Sequence, residues 1–174
     1  MCDSSHGITM VATPNPEFTK LVAANGGASV TMCFQCGTCT AGCPSGKETA
    51  YRVRKLVRQT QLGLEKEALD GDDLWQCTTC YTCVERCPRG VEIVEIVTAL
   101  RNMAVSKGKL YENHKKTATN LIALGHTVDN PDKIKALRKE LGLPENPPTV
   151  MANPAAMADF TKIIKKTGFD KLVG

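Results

Sequence analysis

A chain of 174 residues accommodates one compact domain with an arm, or two small domains, and excludes a pair of large enzyme domains. Its most apolar segment, "VEIVEIVTAL", is interrupted by Glu92 and Glu95 and falls well short of the roughly 18 apolar residues of a membrane span, so no membrane is expected. The formal charge of +4 does not call for nucleic acid: eight of the nine cysteines fall in two tight groups, and two bound metal centres of about −2 each, thiolates included, would leave the loaded protein near neutral.

The N-terminal stretch "MCDSSHGITMVATPNPEF" lacks the charged start, apolar run and small-residue cleavage site of a secretory signal, which makes the cytoplasm the expected location. Within residues 1–27 one helix is predicted, with Asn15 as N-cap, Pro16 at the first helical position and Gly26 as its stop. "ASVTM" at 28–32 is the only weak strand candidate. Residues 28–108 form the domain that carries both cysteine groups. Between the groups, Ser45 and Glu48 have capping-box spacing ahead of "TAYRVRKLVRQTQLG", where Val53, Leu56, Val57 and Thr60 share one face and Gly63 can end the helix. After the second group, Ile93, Ile96, Val97, Leu100, Met103 and Ala104 follow the spacing of a helix that lays one stripe on a core.

From 109 to 174 cysteines are absent and the signals are helical. Asn130 and Pro131 with Gly142, and Asn153 and Pro154 with Gly168, each mark a start and a stop. The intervening "LPENPPTVMA" is proline-rich and expected to be extended. Few large apolar side chains are available to close a separate core, so this segment is read as a helical arm that docks on a partner. The whole chain is predicted to be all-α.

Cys33, Cys36, Cys39, Cys43 and Pro44 recur as Cys77, Cys80, Cys83, Cys87 and Pro88, every position displaced by 44. A C-x2-C-x2-C-x3-C-P run is the bacterial ferredoxin signature for [4Fe-4S] clusters. Three thiolates spaced by two residues can wrap one corner of a small cube from a single loop, while the proline turns the chain away after the fourth. In two-cluster ferredoxins that fourth cysteine ligates the other cluster. The expected sets are therefore Cys33, Cys36, Cys39 and Cys87 for one cluster, and Cys77, Cys80, Cys83 and Cys43 for the other. Cys39 and Cys43 bind different clusters but stand at most roughly 14 Å apart when extended and about 6 Å apart in a helical turn, which makes the clusters neighbours and the pair a wire for electrons. Structural zinc on two sets of four cysteines is the competing reading, but the triple spacing with proline, found twice, favours iron and sulfur. Cys36 and Cys80 are both present, so two complete cubes are expected rather than a three-iron variant.

Other residues take plain readings. Cys2 is a free thiol near the terminus, and His6, His114 and His126 have no ligand spacing. "SGKET" lacks the leading glycine and the Ser/Thr of a phosphate loop. Trp75 and Tyr81 are expected to shield the second motif from water. Arg52, Arg54, Lys55 and Arg58 are read as a solvated helix face, with docking on an acidic partner as the lesser alternative. No Ser-His-Asp, paired-carboxylate or nucleotide-binding pattern is visible, so catalysis is expected in another chain and this one relays electrons.

With helices rather than strands between its motifs, the domain resembles an α-helical ferredoxin, the type found in the iron-sulfur subunit of succinate dehydrogenase, most clearly in "LWQCTTCYTCVERCPRGVEI". Together, "CFQCGTCTAGCPSG", "LWQCTTCYTCVERCPRGVEIVEIVTALRNMAVSKG" and the ending "GFDKLVG" resemble the C-subunit family of the heterodisulfide reductases of methanogenic archaea over nearly the whole chain. That resemblance implies two [4Fe-4S] clusters on the eight motif cysteines. It further implies two partners: the reductase's A-subunit, which holds flavin and clusters, and its B-subunit, whose CCG motifs hold noncubane clusters that reduce the disulfide of coenzymes M and B. The A-subunit would bifurcate electrons from a nickel-iron hydrogenase or formate dehydrogenase. The CCG motif is absent here, as expected if substrate reduction belongs to a separate chain. A relay subunit of another anaerobic or respiratory dehydrogenase is the alternative within the class, and a zinc-stabilised interaction module the alternative outside it.

Overall fold

The computed structural model describes residues 12–173, so the readings of the first eleven residues, Cys2 and His6 included, lie outside the described residues. Every regular element among those described is helical, as the sequence predicts. None of these helices is long and apolar enough to cross a membrane. The chain divides between Lys107 and Gly108 into two units.

In the first unit, α1 (Pro16–Val22) begins with Asn15 Oδ1 accepting the Glu17 amide at 3.1 Å and Pro16 at the position that needs no N–H. A wide turn over Ala23–Gly27 follows, with Gly26 in the left-handed region at φ 106°. Ala28–Met32, the strand candidate, is instead a turn of 3-10 helix. Among the described residues no strand exists to pair with it, whereas the turn buries Val30 completely and lets Ser29 Oγ accept the Glu92 amide at 2.9 Å.

Helices α2 (Thr38–Ala41) and α3 (Pro44–Glu48) are single turns. The second of them replaces the expected capping box. Ser45 lies inside α3 and donates its hydroxyl to Gln76 O at 2.7 Å, while α4 (Val53–Gln61) starts later, behind Arg52, without a side-chain cap. The apolar stripe of α4 is as predicted: Val53, Leu56, Val57 and Thr60 are all buried. Gly63 ends it at φ 69°, and here only glycine fits, since a Cβ would lie 2.3 Å from Asn15 O. That approach lets the Asn15 amide donate to Gly63 O at 2.8 Å and ties α1 to the end of α4.

After α5 (Glu65–Leu69) and a 3-10 turn over Asp72–Gln76 come α6 (Thr82–Glu85) and α7 (Ile93–Ser106). Helix α7 is the spine of the core. Its stripe of Ile93, Ile96, Val97, Leu100 and Ala104 is buried in one cluster with Phe18, Val22, Val30, Leu56, Val57, Leu69 and Leu74, and Met103 packs at the edge. Each of the larger of these side chains contributes about 1.5–3 kcal/mol on leaving water. The half-buried cysteines Cys33, Cys39, Cys77, Cys83 and Cys87 pack against the same cluster, so the core supports both motifs.

The second unit comprises α8 (Glu112–Leu124), α9 (Asp132–Glu140), α10 (Pro154–Thr167) and α11 (Phe169–Val173). Asn153 caps α10 by accepting from the Ala155 and Ala156 amides, and Gly168 closes it in the left-handed region. At α9 the cap position falls on Pro131, one residue after Asn130. The proline-rich segment is irregular up to a 3-10 turn at Val150–Ala152. Ile164 and Val173 are its buried apolar side chains among the described residues, whereas Val128, Leu141 and Ile163 are at least 60% exposed.

Candidate metal centre

The sequence repeat is also a backbone repeat. Gln35 and Gly37 in the first loop have φ of 66° and 88°, and their counterparts Thr79 and Tyr81 have 51° and 60°. Three of these four are not glycine, and each costs about 1–3 kcal/mol in the left-handed region. The left-handed residues coil each loop tightly between its cysteines at i, i+3 and i+6. A single helical turn follows in each case, closed by Gly42 and Arg86 at the same φ −91° and ψ −1°. Pro44 and Pro88 then redirect the chain.

The thiols fall into matching environments. Cys36 and Cys80 are exposed, and each lies 3.4 Å from a hydroxyl two residues on, Thr38 or Thr82, which holds its pKa below the usual thiol value. Burial pushes Cys39 up, with Cys33 and Cys36 adding to the effect. Burial likewise raises Cys83 to about 11, reinforced by Cys77, Cys39 and Cys80; the short helices α2 and α6, which carry Cys39 and Cys83, pack against each other. The fourth cysteines accept backbone amides: Gly46 N donates to Cys43 Sγ and Val91 N to Cys87 Sγ, both at 3.3 Å.

Cys43 does not face its own loop. It lines a small cavity with Cys77, Cys80 and Cys83, roofed by Pro44, Tyr51, Val53, Tyr81 and Val94. Four thiols in a largely apolar setting are the donor set that a thiolate-bound iron-sulfur centre requires. Tyr51 is 1% exposed, and its Oη is buried with no hydrogen-bond partner among the described residues. Burial raises its pKa; Cys77, the thiol its hydroxyl approaches without reaching a hydrogen bond of normal geometry, raises it next, ahead of Cys83 and Cys43. Among the described residues no three His, Cys, Asp or Glu side chains converge to hold a single metal ion; a cube takes its thiolates at separate corners.

Two residues without any motif of their own hold the entrances of the loops. Gln61, the ninth residue of α4, donates through Nε2 to Val30 O at 3.0 Å and Cys33 O at 2.8 Å. Arg101, the ninth residue of α7, donates through Nε and Nη2 to Leu74 O at 3.1 and 3.0 Å and through Nη2 to Cys77 O at 2.8 Å. Val30 and Cys33 are the repeat counterparts of Leu74 and Cys77, so the clamps correspond. The offset is 44 in the loops but 40 in the helices, because the link from Cys87 to α7 is shorter than that from Cys43 to α4. That slip conceals the second half of the repeat from a search at fixed spacing.

Around the motifs, Tyr81 lines the cavity but is half exposed, and Trp75 packs at the edge of the core with the Arg101 guanidinium 5.6 Å from its ring centroid. Arg54, Lys55 and Arg58 are exposed. Arg52 turns back to donate to Gly46 O, Thr49 O and Tyr51 O, which makes it a staple of the α3–α4 connection. His126 Nδ1 accepts the Val128 amide and His114 meets Tyr111 edge to face, so both engage local groups.

Comparison with known proteins agrees with this geometry. The family profile described as a 4Fe-4S dicluster domain matches residues 29–91. The chain is 48% identical to the C-subunit of the "H(2):CoB-CoM heterodisulfide,ferredoxin reductase" of Methanothermobacter marburgensis, over 91% of this chain and 85% of that one. It is 50% identical to the iron-sulfur C-subunit of the "CoB--CoM heterodisulfide reductase" of Methanopyrus kandleri, over 84% and 76%. The second C-subunit of the "H(2)/formate:CoB-CoM heterodisulfide,ferredoxin reductase" of Methanococcus maripaludis is 47% identical, over 84% and 79%.

Proposed function

The chain belongs to the C-subunit family of the heterodisulfide reductases, and from that premise we propose that it relays single electrons from the flavin-bearing A-subunit to the B-subunit that reduces the CoM-S-S-CoB disulfide. Cys33, Cys36, Cys39 and Cys87 hold one [4Fe-4S] cluster, and Cys77, Cys80, Cys83 and Cys43 hold the other. Bound in this way, the clusters supply one-electron transfer without substrate chemistry. The chain's own residues orient them, limit water around them and fix their separation. Substrate reduction lies in the B-subunit.

The observation that carries this reading is the cavity shared by Cys43 with Cys77, Cys80 and Cys83. Cys39 and Cys43 are separated by one helical turn, about 6 Å of rise, so thiols bound for different clusters stand on the same short segment. The names of relatives carrying H2 and H2/formate support a hydrogenase or formate dehydrogenase as the source of electrons, delivered through the flavin-bearing partner. Residues 28–108 form the relay domain, and residues 109–174, with several apolar side chains at the surface, form the partner-docking arm. The complex is cytoplasmic.

Anaerobic isolation of the native complex through a tag on this chain tests the proposal. About eight iron and eight acid-labile sulfide per chain, accompanied by the flavin-bearing and the disulfide-reducing partners, are expected. Zinc without sulfide, or a different set of partner chains, overturns it.

A further inference from the structure

We propose that the Tyr51 hydroxyl donates a hydrogen bond to a sulfur of the centre held by Cys43, Cys77, Cys80 and Cys83, raising the reduction potential of that centre alone. The inference rests on the ligation proposed above. Tyr51 is almost completely buried, and its Oη has no hydrogen-bond partner among the described residues. A buried hydroxyl without a partner is unfavourable, and phenylalanine would fill the same space without that cost. The side chain lines the cavity that contains the four thiols, and Oη is its only polar atom. A phenol keeps its proton at neutral pH, so toward sulfur it acts as a donor.

The register of the repeat makes the effect one-sided. Tyr51 lies two residues before α4 and Val91 lies two residues before α7, and both are buried. The position that carries a hydroxyl in one half therefore carries an isopropyl group in the other. A hydrogen bond to cluster or ligand sulfur favours the reduced, more negative state, and such bonds are among the recognised determinants of cluster potential. Other polar groups occur on both sides. Gln35 Nε2 lies 3.5 Å from Cys33 Sγ and the Arg54 side chain is beside Gly37, while Arg101 binds Cys77 O. The decisive quantity is thus the shift of one centre on loss of one hydroxyl, rather than the order of the two potentials.

The test uses the full-length, cluster-loaded protein under anaerobic conditions. Iron and sulfide are assayed first, then both midpoint potentials are measured by redox titration followed by electron paramagnetic resonance, in wild type and Tyr51→Phe. The expected result is a fall in one potential with the other unchanged, the affected centre being the one whose signal changes in Cys80→Ser. Replacement of Tyr51 alone by the more acidic 3-fluorotyrosine, Tyr81 of the same cavity being left unchanged, is expected to move the same potential upward. Full clusters with unmoved potentials in both samples, or a shift at the other centre, overturn the role of Tyr51 while the relay stands. A wild-type preparation without iron and sulfide overturns both.

Discussion

Replacing Arg101 by alanine removes the donors for Leu74 O and Cys77 O, the two carbonyls that fix the entrance of the second loop. Hydrogen bonds from a charged donor contribute about 1.5–3 kcal/mol each; since water reaches part of the Arg101 side chain, the two carbonyls together account for about 2–4 kcal/mol. With tenfold per 1.4 kcal/mol, local opening of this loop becomes about 30-fold to several hundred-fold more frequent. Release of iron to a chelator under anaerobic conditions reads this directly. Arg101→Ala is expected to release half of the iron in a fast phase and the other half at the wild-type rate. Gln61 supplies the internal control, because a neutral carboxamide at the same helical position bonds both carbonyls of the first loop. Arg101→Gln is therefore expected to stay within about tenfold of wild type, a loss of roughly 1.4 kcal/mol or less. Uniform release in Arg101→Ala at the wild-type rate, or a glutamine variant as impaired as the alanine one, refutes the clamp.

Cys43→Ala is expected to lower iron from about eight to about four per chain and to remove the same paramagnetic signal as Cys77→Ala; coincidence with Cys36→Ala instead would falsify the crossed ligation. Gly63→Ala forces a side chain into a left-handed backbone against Asn15 O and separates Asn15 N from Gly63 O, a loss of about 2–4 kcal/mol. It should appear as a lower thermal midpoint for the loaded protein, and an unchanged midpoint contradicts the packing argument. Asn153→Ala removes the acceptor of two amides at the start of α10 and should cost about 1 kcal/mol. Faster hydrogen exchange confined to the first turn of that helix is the expected readout.

What is legible in the sequence follows from local physics. Helices with a stripe or a cap can be read: α7 from the spacing of Ile93 to Ala104, and α10 from Asn153, Pro154 and Gly168. The weak strand candidate at 28–32 and the capping box expected at Ser45 do not form, for tertiary reasons. Val30 is drawn into the core and Ser29 is claimed by the Glu92 amide, while Ser45 is claimed by Gln76 O across the domain. The eight motif cysteines stand out in the sequence because their spacing recurs with a fixed offset of 44. The roles of Gln61 and Arg101 are not legible there, since each bonds a loop distant in sequence and belongs to a residue type with many commoner roles, and neither is the place of Tyr51 in the cavity. The change in offset from 44 to 40 also hides the correspondence between Gln61 and Arg101, which a comparison of the two helices by their apolar stripes could have found.

The two halves also differ where they meet solvent. Each motif has one exposed thiol, Cys36 or Cys80, and on the proposed ligation each centre combines that exposed corner with an inner thiolate borrowed from the opposite loop. Phe34 is 60% exposed beside the first motif, and Tyr81 is 49% exposed beside the second. These aromatics are not repeat counterparts: the positions that match them are Thr78 and Gly37. Exposed aromatic side chains are favoured anchors in protein interfaces. The fold therefore presents two unlike surfaces at equivalent positions of the repeat. On the proposed relay, two unlike exposed corners would suit two unlike partners, one that supplies electrons and one that takes them.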